Sequence, residues 1–373
     1  MKILIAPDKF KNSLTGFEFC DAVAEGISSV IPDAELIKCP LADGGDGTME
    51  VVNYYLKGEK ITVSVNDPLF RPVKAAYLFS TGTQTAFIEM AAASGLHLLS
   101  ERERNCMHTT SFGTGELIKN ALEKGAKKII LGVGGSATND LGIGMAAALG
   151  YRFLDKKGDD VKSVGENLQQ IQKIKTDQVN PLLKGVDVQI ASDVTNPLYG
   201  KNGAAWIYAS QKGASGEEVI LLDKGLRHFS GNIQKQLGID LQRIPGAGAA
   251  GGLGGGAVVF LNGKVSSGIE IIKKIAGFDE KIRNADRIIT GEGKLDAQTF
   301  SGKVISGVLE SAKEQQIPVA VFCGKTDLDP EEIKRMGIDY AVAISEKETT
   351  LEDAYRNAYP NLIVAAKTFA EKI

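Results

Sequence analysis

KILIAPDKFKNSLTGFEFCDAVAEGISSVIPDAELIKCPLADGGDGTMEVV, residues 2–52, is the stretch on which the fold class turns. Lys2 to Ala6 is an apolar run that reads as a buried strand. Thr15 and Glu18 form a capping box ahead of Phe19, Val23, Ile27 and Val30, which recur at helical spacing. A second strand, Glu35 to Cys39, ends in the turn LADGGDGT. Beyond it Val51, Val52, Tyr55 and Leu56 mark one face of a second helix. Strand, helix, strand, helix in short succession predicts parallel strands with helical crossovers.

The carboxyl end repeats the pattern. Strands are expected at Arg287 to Thr290, Val319 to Cys323 and Ala341 to Ile344, with a helix carrying Val304, Ile305, Val308 and Leu309 and another closing the chain. Either end alone is too short for a doubly wound sheet, so the two are expected to share one. Between them Ile61, Val63 and Val65 alternate with polar residues. Short strands follow at Val73 to Phe79 and Ala86 to Met90, a pattern for antiparallel pairing. Further on come helices at Glu116 to Lys124 and near Met145 to Leu149, and strands at Ile129 to Val133 and Val188 to Ala191. A long helix follows with Leu222, Leu226, Phe229, Ile233 and Leu237 on one face, and then an expected hairpin at Asn262-Gly263. The expectation is an α/β protein of two domains. One is a Rossmann-like doubly wound parallel sheet from residues 1–60 and 265–373; the other is an inserted mixed α/β domain, 61–264, with the active site in the cleft between them. No repeat or low-complexity tract interrupts the chain.

The bulk properties narrow the partners. With 373 residues, 43% of them hydrophobic, the chain supplies two cores of ordinary size. The net charge of −3 is spread along the chain, which argues against nucleic acid and anionic lipid and for a small-molecule substrate. No apolar run is long enough for a membrane span, and the amino terminus lacks a basic-then-apolar leader, so a cytoplasmic location is expected. Cys20, Cys39, Cys106 and Cys323 are far apart and read as reduced structural thiols. With only three histidines, acid–base chemistry falls to carboxylates. The sequence is compatible with a homo-oligomer but sets no oligomeric state.

Glycine, at 43 residues, gathers between apolar runs as it does at strand-to-helix turns. Phosphoryl transfer needs amides and a cation around phosphate, carboxylates for Mg²⁺ and a group to orient the attacking hydroxyl. Six segments offer such parts. APDKFKNS brings Asp8, Lys9, Lys11 and Ser13 to the end of the first strand, where it reads either as a ligand loop or as a polar turn with an N-cap serine. PLADGGDGT places Asp43 and Asp46 around two glycines; Asp46 reads equally as a helix N-cap, whereas Asp43 is not needed for capping. GVGGSATND ends a strand in an anion nest, with Gly134, Gly135, Ser136, Asn139 and Asp140 suited to phosphate or metal-phosphate, or else in tight glycine packing.

ASDVTNPLYG sets Asp193 and Asn196 past a strand, as a hydroxyl-orienting base with a substrate contact or as an Asn-Pro turn. PGAGAAGGLGGG has the dinucleotide spacing at Gly246, Gly248 and Gly251, but Pro245 breaks the strand that should precede it and glycines continue where a helix should begin. It is therefore expected to be a hinge or a loop approached closely by ligand. TGEGKLDAQT offers Glu292, Lys294 and Asp296 at a strand end, either as metal and phosphate ligands or as a salt-bridge loop. CGKT at Cys323 to Thr326 is not a P-loop, because Val319 stands where the first glycine belongs, and the protein-kinase pattern is missing.

Taken together and in order, APDKFKNSL, PLADGGDGT, TSFGTGELI, GVGGSATND, SDVTNPLYGKNGAA, QKGA, PGAGAAGGLGGG and ITGEGKLDAQTFSGK resemble the bacterial class I glycerate kinases over nearly the whole chain. Asn12, Leu141 and Cys106 depart from the usual residues, beside the groups of interest and not among them. The resemblance implies ATP- and Mg²⁺-dependent phosphorylation of D-glycerate, most often to 2-phosphoglycerate, on a two-domain α/β fold. The alternatives are the 3-phosphate or another small hydroxy acid as acceptor; outside the kinases they are an NAD-dependent oxidoreductase or a non-catalytic ligand sensor. Within the matched segments the expected roles follow residue chemistry. Asp193, Lys11 and Asp8 are assigned to catalysis, and Lys9, Ser13 and Asn196 to the substrate. Gly134, Gly135, Ser136, Asn139 and Lys294 are assigned to the phosphates, and Asp43, Asp46, Asp140, Glu292 and Asp296 to the metal.

Overall fold

The structure is a computed structural model that describes residues 1–44, 47–296, 299, 304–345 and 350–373. It divides into two compact units, Met1–Tyr55 with Gly268–Ile373, and Leu56–Ser267. The first unit opens with β1 (Lys2–Ile5) and β2 (Glu35–Lys38). The second holds β3 (Glu59–Asn66), β4 (Pro72–Ser80), β5 (Thr85–Glu89), β6 (Lys128–Gly132), β7 (Arg152–Leu154), β8 (Lys173–Lys175), β9 (Asp187–Ala191) and β10 (Lys264–Ser266). The chain then returns to the first unit for β11 (Arg287–Leu295), β12 (Val319–Thr326) and β13 (Tyr340–Ala343).

In the first unit the order is β13-β12-β11-β1-β2, every pair parallel. The helix Gly16–Ser28 starts where the sequence says it should: the Thr15 side chain accepts from the Glu18 N–H and the Glu18 carboxylate accepts from the Thr15 N–H. Its buried face, Phe19, Val23 and Ile27, joins Ile3, Ile5, Ile289 and Phe322 of the strands and Leu362 and Phe369 of the helix Ala358–Ala370 in one core. Fully burying a side chain of this size contributes about 1.5–3 kcal/mol, so this shared core holds the two helices against the sheet. Gly26 lets the two helices touch, since a Cβ there would lie 2.5 Å from the Ile363 carbonyl oxygen. From the β1–β11 contact the chain adds strands outward to opposite sides, β2 beside β1 and β12 then β13 beside β11, which makes that contact the topological switch point where open parallel sheets bind ligands.

In the second unit the order is β10-β9-β6-β5-β4-β3, antiparallel from β3 to β5 and parallel from β5 to β10. β7 and β8 form a separate antiparallel pair that the sequence did not disclose. The helix Gly216–Leu237 starts at a second capping box, Ser215 with Glu218, and ends at Gly238 in the left-handed region, φ 74°. Its face of Leu222, Leu226, Phe229 and Ile233 is buried, whereas Leu237 is exposed.

Three local expectations are corrected. Asn262-Gly263 is not a hairpin: Asn262, φ 51°, caps the C-terminus of the helix Leu253–Leu261, and Gly263 leads into β10, which pairs with β9 in parallel. The glycine tract is not a hinge in its second half, because Gly254, Gly255 and Gly256 lie inside that helix. A Cβ on Gly256 would stand 2.2 Å from the Leu141 carbonyl oxygen, so backbone approach overrides glycine's poor helix propensity. The segment TGEGKL does not follow a strand but is the strand: β11 pairs with β12 in register as far as Leu295↔Thr326, and CGKT is the facing edge of that pair.

Candidate functional site

Each unit carries polar groups at the carboxyl ends of its parallel strands, and each set is built separately.

In the first unit Asp8 leaves β1 with its N–H bonded to the Gly291 carbonyl of β11 at 2.9 Å, at the switch point. Its carboxylate accepts from the Lys9 N–H at 2.7 Å. Burial, followed by the negative charges of Asp43 and Glu292, pushes the Asp8 carboxyl up to about 7. Asp8, Asp43 and Glu292 therefore share one electrostatic neighbourhood, which the sequence segments anticipate. Glu292 accepts from the Thr299 hydroxyl at 2.5 Å, and the Lys9 ammonium end lies beside Gly47 at the start of the helix Thr48–Leu56. The three carboxylates come from β1, β2 and β11, so the sheet itself holds them together.

The remaining first-unit candidates have other occupations. Lys294 pairs with Asp327 at 2.6 Å and Asp296 at 3.0 Å, and these two acids hold its ammonium above the usual lysine range. Lys11 is exposed. Ser13 is not an N-cap, since Thr15 has that place; its hydroxyl donates to the Tyr355 carbonyl at 3.3 Å. Asp46 lies outside the described residues. Among the described residues no three His, Cys, Asp or Glu side chains converge closely enough to ligate one ion.

In the second unit the turn that follows β6 carries Gly134, Gly135 and Ser136. Gly135 adopts φ 69°, and among the described residues the N–H groups of all three donate to nothing. Gly134 and Gly135 are exposed. Three successive free amides around a left-handed residue make an anion-binding concavity. Beneath it the Lys212 ammonium, 3% exposed, donates to the Ser136 hydroxyl at 2.7 Å and the Thr138 carbonyl at 2.9 Å. Burial pulls Lys212 down to about 8, with the Cys106 thiol and the Asp140 carboxyl acting in the opposite direction. The Thr138 hydroxyl and both ends of the Asn139 amide are buried without a partner, a state that costs about 1–3 kcal/mol per group.

Asp140 is different. It is fully buried and accepts from the Ser111 N–H and hydroxyl, both at 2.8 Å, from Gly142 N–H at 3.0 Å and from Gly144 N–H at 3.3 Å. Burial pushes its carboxyl up and those donors pull it back. Its oxygens tie the segment before the helix Phe112–Glu123 to the start of the helix Ile143–Ala148, which leaves it no place in the metal set. Asp193 is exposed, two residues beyond β9, the parallel neighbour of β6. Asn196 is engaged within its own loop: its amide donates to the Asn202 carbonyl at 2.9 Å and accepts from the Tyr208 hydroxyl at 2.7 Å.

The profile of the glycerate kinase family matches residues 3–373. The chain belongs to the glycerate kinase family. It is 44% identical over 370 residues to a glycerate kinase of Bacillus cereus, covering 99% of this chain and 97% of that one. It is 42% identical to the glycerate 2-kinase of Escherichia coli K12, with 99% and 97% covered. The crystal structure of a protein assigned as glycerate kinase 2 from Salmonella typhimurium LT2 superposes with a TM-score of 0.89 at 40% identity, over 100% of this chain and 98% of that one. As a member of this family the protein is a phosphotransferase, with an alcohol group as acceptor.

Sequence reasoning missed Lys212. Its signal was the string QKGA, quoted for the resemblance but given no role, because lysine is ordinarily exposed. Thr299, bonded to Glu292, and Asp327, bonded to Lys294, were missed as well. Among the described residues no helix is long and apolar enough to cross a membrane.

Proposed function

We propose that the protein transfers the γ-phosphoryl group of ATP to the 2-hydroxyl of D-glycerate, giving 2-phosphoglycerate and ADP. The observation that carries this reading is the row of free amides at Gly134, Gly135 and Ser136 over the buried Lys212, a cradle for a phosphate oxyanion. The names of the relatives, among them a glycerate 2-kinase, support the acceptor and its 2-hydroxyl.

In this reading Asp193 accepts the proton of the glycerate hydroxyl as its oxygen attacks the γ-phosphorus and the bridging bond to ADP breaks. Lys9 and Lys11 receive the glycerate carboxylate, and Ser13, whose hydroxyl donates to the Tyr355 carbonyl, steadies the loop that carries them. Asn196 contributes by fixing the loop that carries Asp193. Asp43 and Glu292 are the groups suited to Mg²⁺, with Asp8 beside them. The fit rests on charge: Asp8 is raised first by burial and then by the negative charges of Asp43 and Glu292, a divalent cation would offset those charges, and Mg²⁺ needs only one or two carboxylates when phosphates and water complete its shell. Bound there, Mg²⁺ would neutralise charge on the phosphate oxygens. The protein is read as cytoplasmic, with no nucleic-acid or membrane partner.

Phosphorus NMR of the product formed from D-glycerate and Mg-ATP tests the reading. The 2-phosphate resonance with stoichiometric ADP is expected. A 3-phosphate resonance overturns the regiochemistry, and no glycerate-dependent ADP overturns the substrate.

A further inference from the structure

We infer that Lys212 is the positioning residue of the phosphate cradle: its ammonium polarises the Ser136 hydroxyl, which joins the amides of Gly134, Gly135 and Ser136 as a fourth donor to a nucleotide phosphate. The inference rests on the kinase reading above and adds the residue that charges the cradle.

Three features of the geometry lead to it. Lys212 is too buried to meet a ligand itself, whereas Ser136, 8% exposed, retains a reachable edge. The Ser136 oxygen accepts from the ammonium at 2.7 Å, so its own hydrogen must point elsewhere, and among the described residues it meets no acceptor. Donation into a hydroxyl oxygen strengthens the bond that the hydroxyl then makes, most of all when the first donor is charged. Lys212 also has no carboxylate within ion-pair distance among the described residues. A buried ammonium without a counter-charge is unfavourable unless an anion arrives to balance it.

The surroundings fit the same account. The titratable groups facing Lys212 are the Cys106 thiol, itself pushed up to about 11 by burial, and the Asp140 carboxyl, which is committed to Ser111, Gly142 and Gly144; Glu218 acts on Cys106 from the helix Gly216–Leu237. The unpaired Thr138 hydroxyl and Asn139 amide adjoin the same turn, polar groups left without partners beside the cation. A lysine that loses its proton near pH 8 makes the cradle proton-linked: full strength below that pH and fading above it.

The test measures ATP and D-glycerate binding calorimetrically, with Mg²⁺ present, for wild type, Lys212→Met, Lys212→Arg, Ser136→Ala and the Lys212→Met/Ser136→Ala double variant. ATP binding is expected to weaken roughly tenfold to a hundredfold in Lys212→Met and in Ser136→Ala, the range of one charge-assisted hydrogen bond. D-glycerate binding should stay within about twofold. The double variant should bind ATP no more weakly than Lys212→Met alone, because a relay loses its effect once, whereas independent contacts add. Wild-type affinity for ATP should fall between pH 7.5 and 9.5 while that of Lys212→Met stays flat, and Lys212→Arg should restore part of the affinity without the alkaline fall.

Additive losses, or equal pH profiles in wild type and Lys212→Met, overturn the relay. A loss confined to D-glycerate overturns the assignment of the cradle to the nucleotide. Should Lys212→Met fail to fold, Ser136→Ala and the wild-type alkaline fall decide alone. A wild type that binds ATP with this signature but makes no phosphoglycerate would retire the proposed reaction and keep the relay. An active wild type with an indifferent Lys212 would do the reverse.

Discussion

Raising the pH from 7 to 10.5 should make the second unit more stable through Lys212 while it weakens the enzyme. The folded state holds this lysine at about 8, against about 10.4 for a solvated lysine. Below pH 8 the side chain is protonated both folded and unfolded, so folding must bury a charge. Between pH 8 and 10.4 the folded state sheds the proton and the unfolded state keeps it, so the unfolded state binds more protons and stability rises with pH. The gap of about 2.4 units at 1.36 kcal/mol each amounts to about 3 kcal/mol, an upper figure for a group with two hydrogen bonds to lose. Lys212→Met abolishes this dependence. At pH 7 the variant escapes the buried charge but leaves the Thr138 carbonyl unpaired, at about 1–3 kcal/mol, so its stability there should lie near that of wild type. Trp206 is the sole tryptophan and belongs to the second unit, so its fluorescence in urea reports that unit. With slopes of about 1–3 kcal/mol/M, the wild-type midpoint should climb relative to Lys212→Met by about 1 M or more across this range. Subtracting the variant cancels the titrating groups that do not interact with Lys212, leaving Cys106 and Asp140 as the coupled ones. Parallel midpoints from pH 7 to 10.5 would refute the buried, ionised lysine on which the cradle rests.

Asp140→Ala should unfold the second unit. The N–H groups of Ser111, Gly142 and Gly144 lose their acceptor at about 1–3 kcal/mol each, a sum comparable to the stability of a whole domain, and a melting temperature within about 2 °C of wild type counts against it. Gly256→Ala, whose Cβ would press on the Leu141 carbonyl oxygen, should destabilise by about 1–3 kcal/mol or more, whereas Gly231→Ala, in open space within the helix Gly216–Leu237, should stabilise by up to about 1 kcal/mol. Urea midpoints read by Trp206 separate the two, and equal effects would undo the packing account of the glycine tract. Asp193→Asn should cut turnover about a hundredfold or more while leaving the KM for ATP in place. Undiminished turnover in a steady-state assay removes Asp193 from the reaction.

What the sequence discloses is what local periodicity controls. The first strand, the capped helix at Thr15 and the return through Arg287 and Val319 were legible, because buried parallel strands are apolar runs and helix starts carry their own donors and acceptors. That the carboxylates Asp8, Asp43 and Glu292 gather in one place was legible for a related reason: residues just beyond β1 and β2 and on the neighbouring β11 share the carboxyl edge of one sheet. β11 was read too short because GEGK looks like a turn. Gly291 is there because Phe322 and Phe19 leave no room, a Cβ standing 2.2 Å from the Phe322 carbonyl oxygen, a fact that belongs to the neighbouring strand and helix.

The same division explains why Asp140 and Lys212 exchanged importance once coordinates replaced residue types. A carboxylate beside glycines reads as a ligand until its acceptors are counted, and at Asp140 the N–H groups of Ser111, Gly142 and Gly144 with the Ser111 hydroxyl already fill them. A lysine in QKGA reads as surface until its burial is known. Lys212 closes the short turn Ser210–Lys212 and leads into Gly213, whose φ is 89° and whose backbone packs against Arg104. Saturation of a polar group and burial of a charged one both depend on residues distant in sequence, Ser111 for Asp140 and Ser136 for Lys212. A functional reading of this chain therefore turns less on which charged residues it contains than on which of them the fold leaves with hydrogen-bonding capacity to spare, and in the second unit that capacity lies in the amides of Gly134 to Ser136 and the hydroxyl that Lys212 holds beneath them.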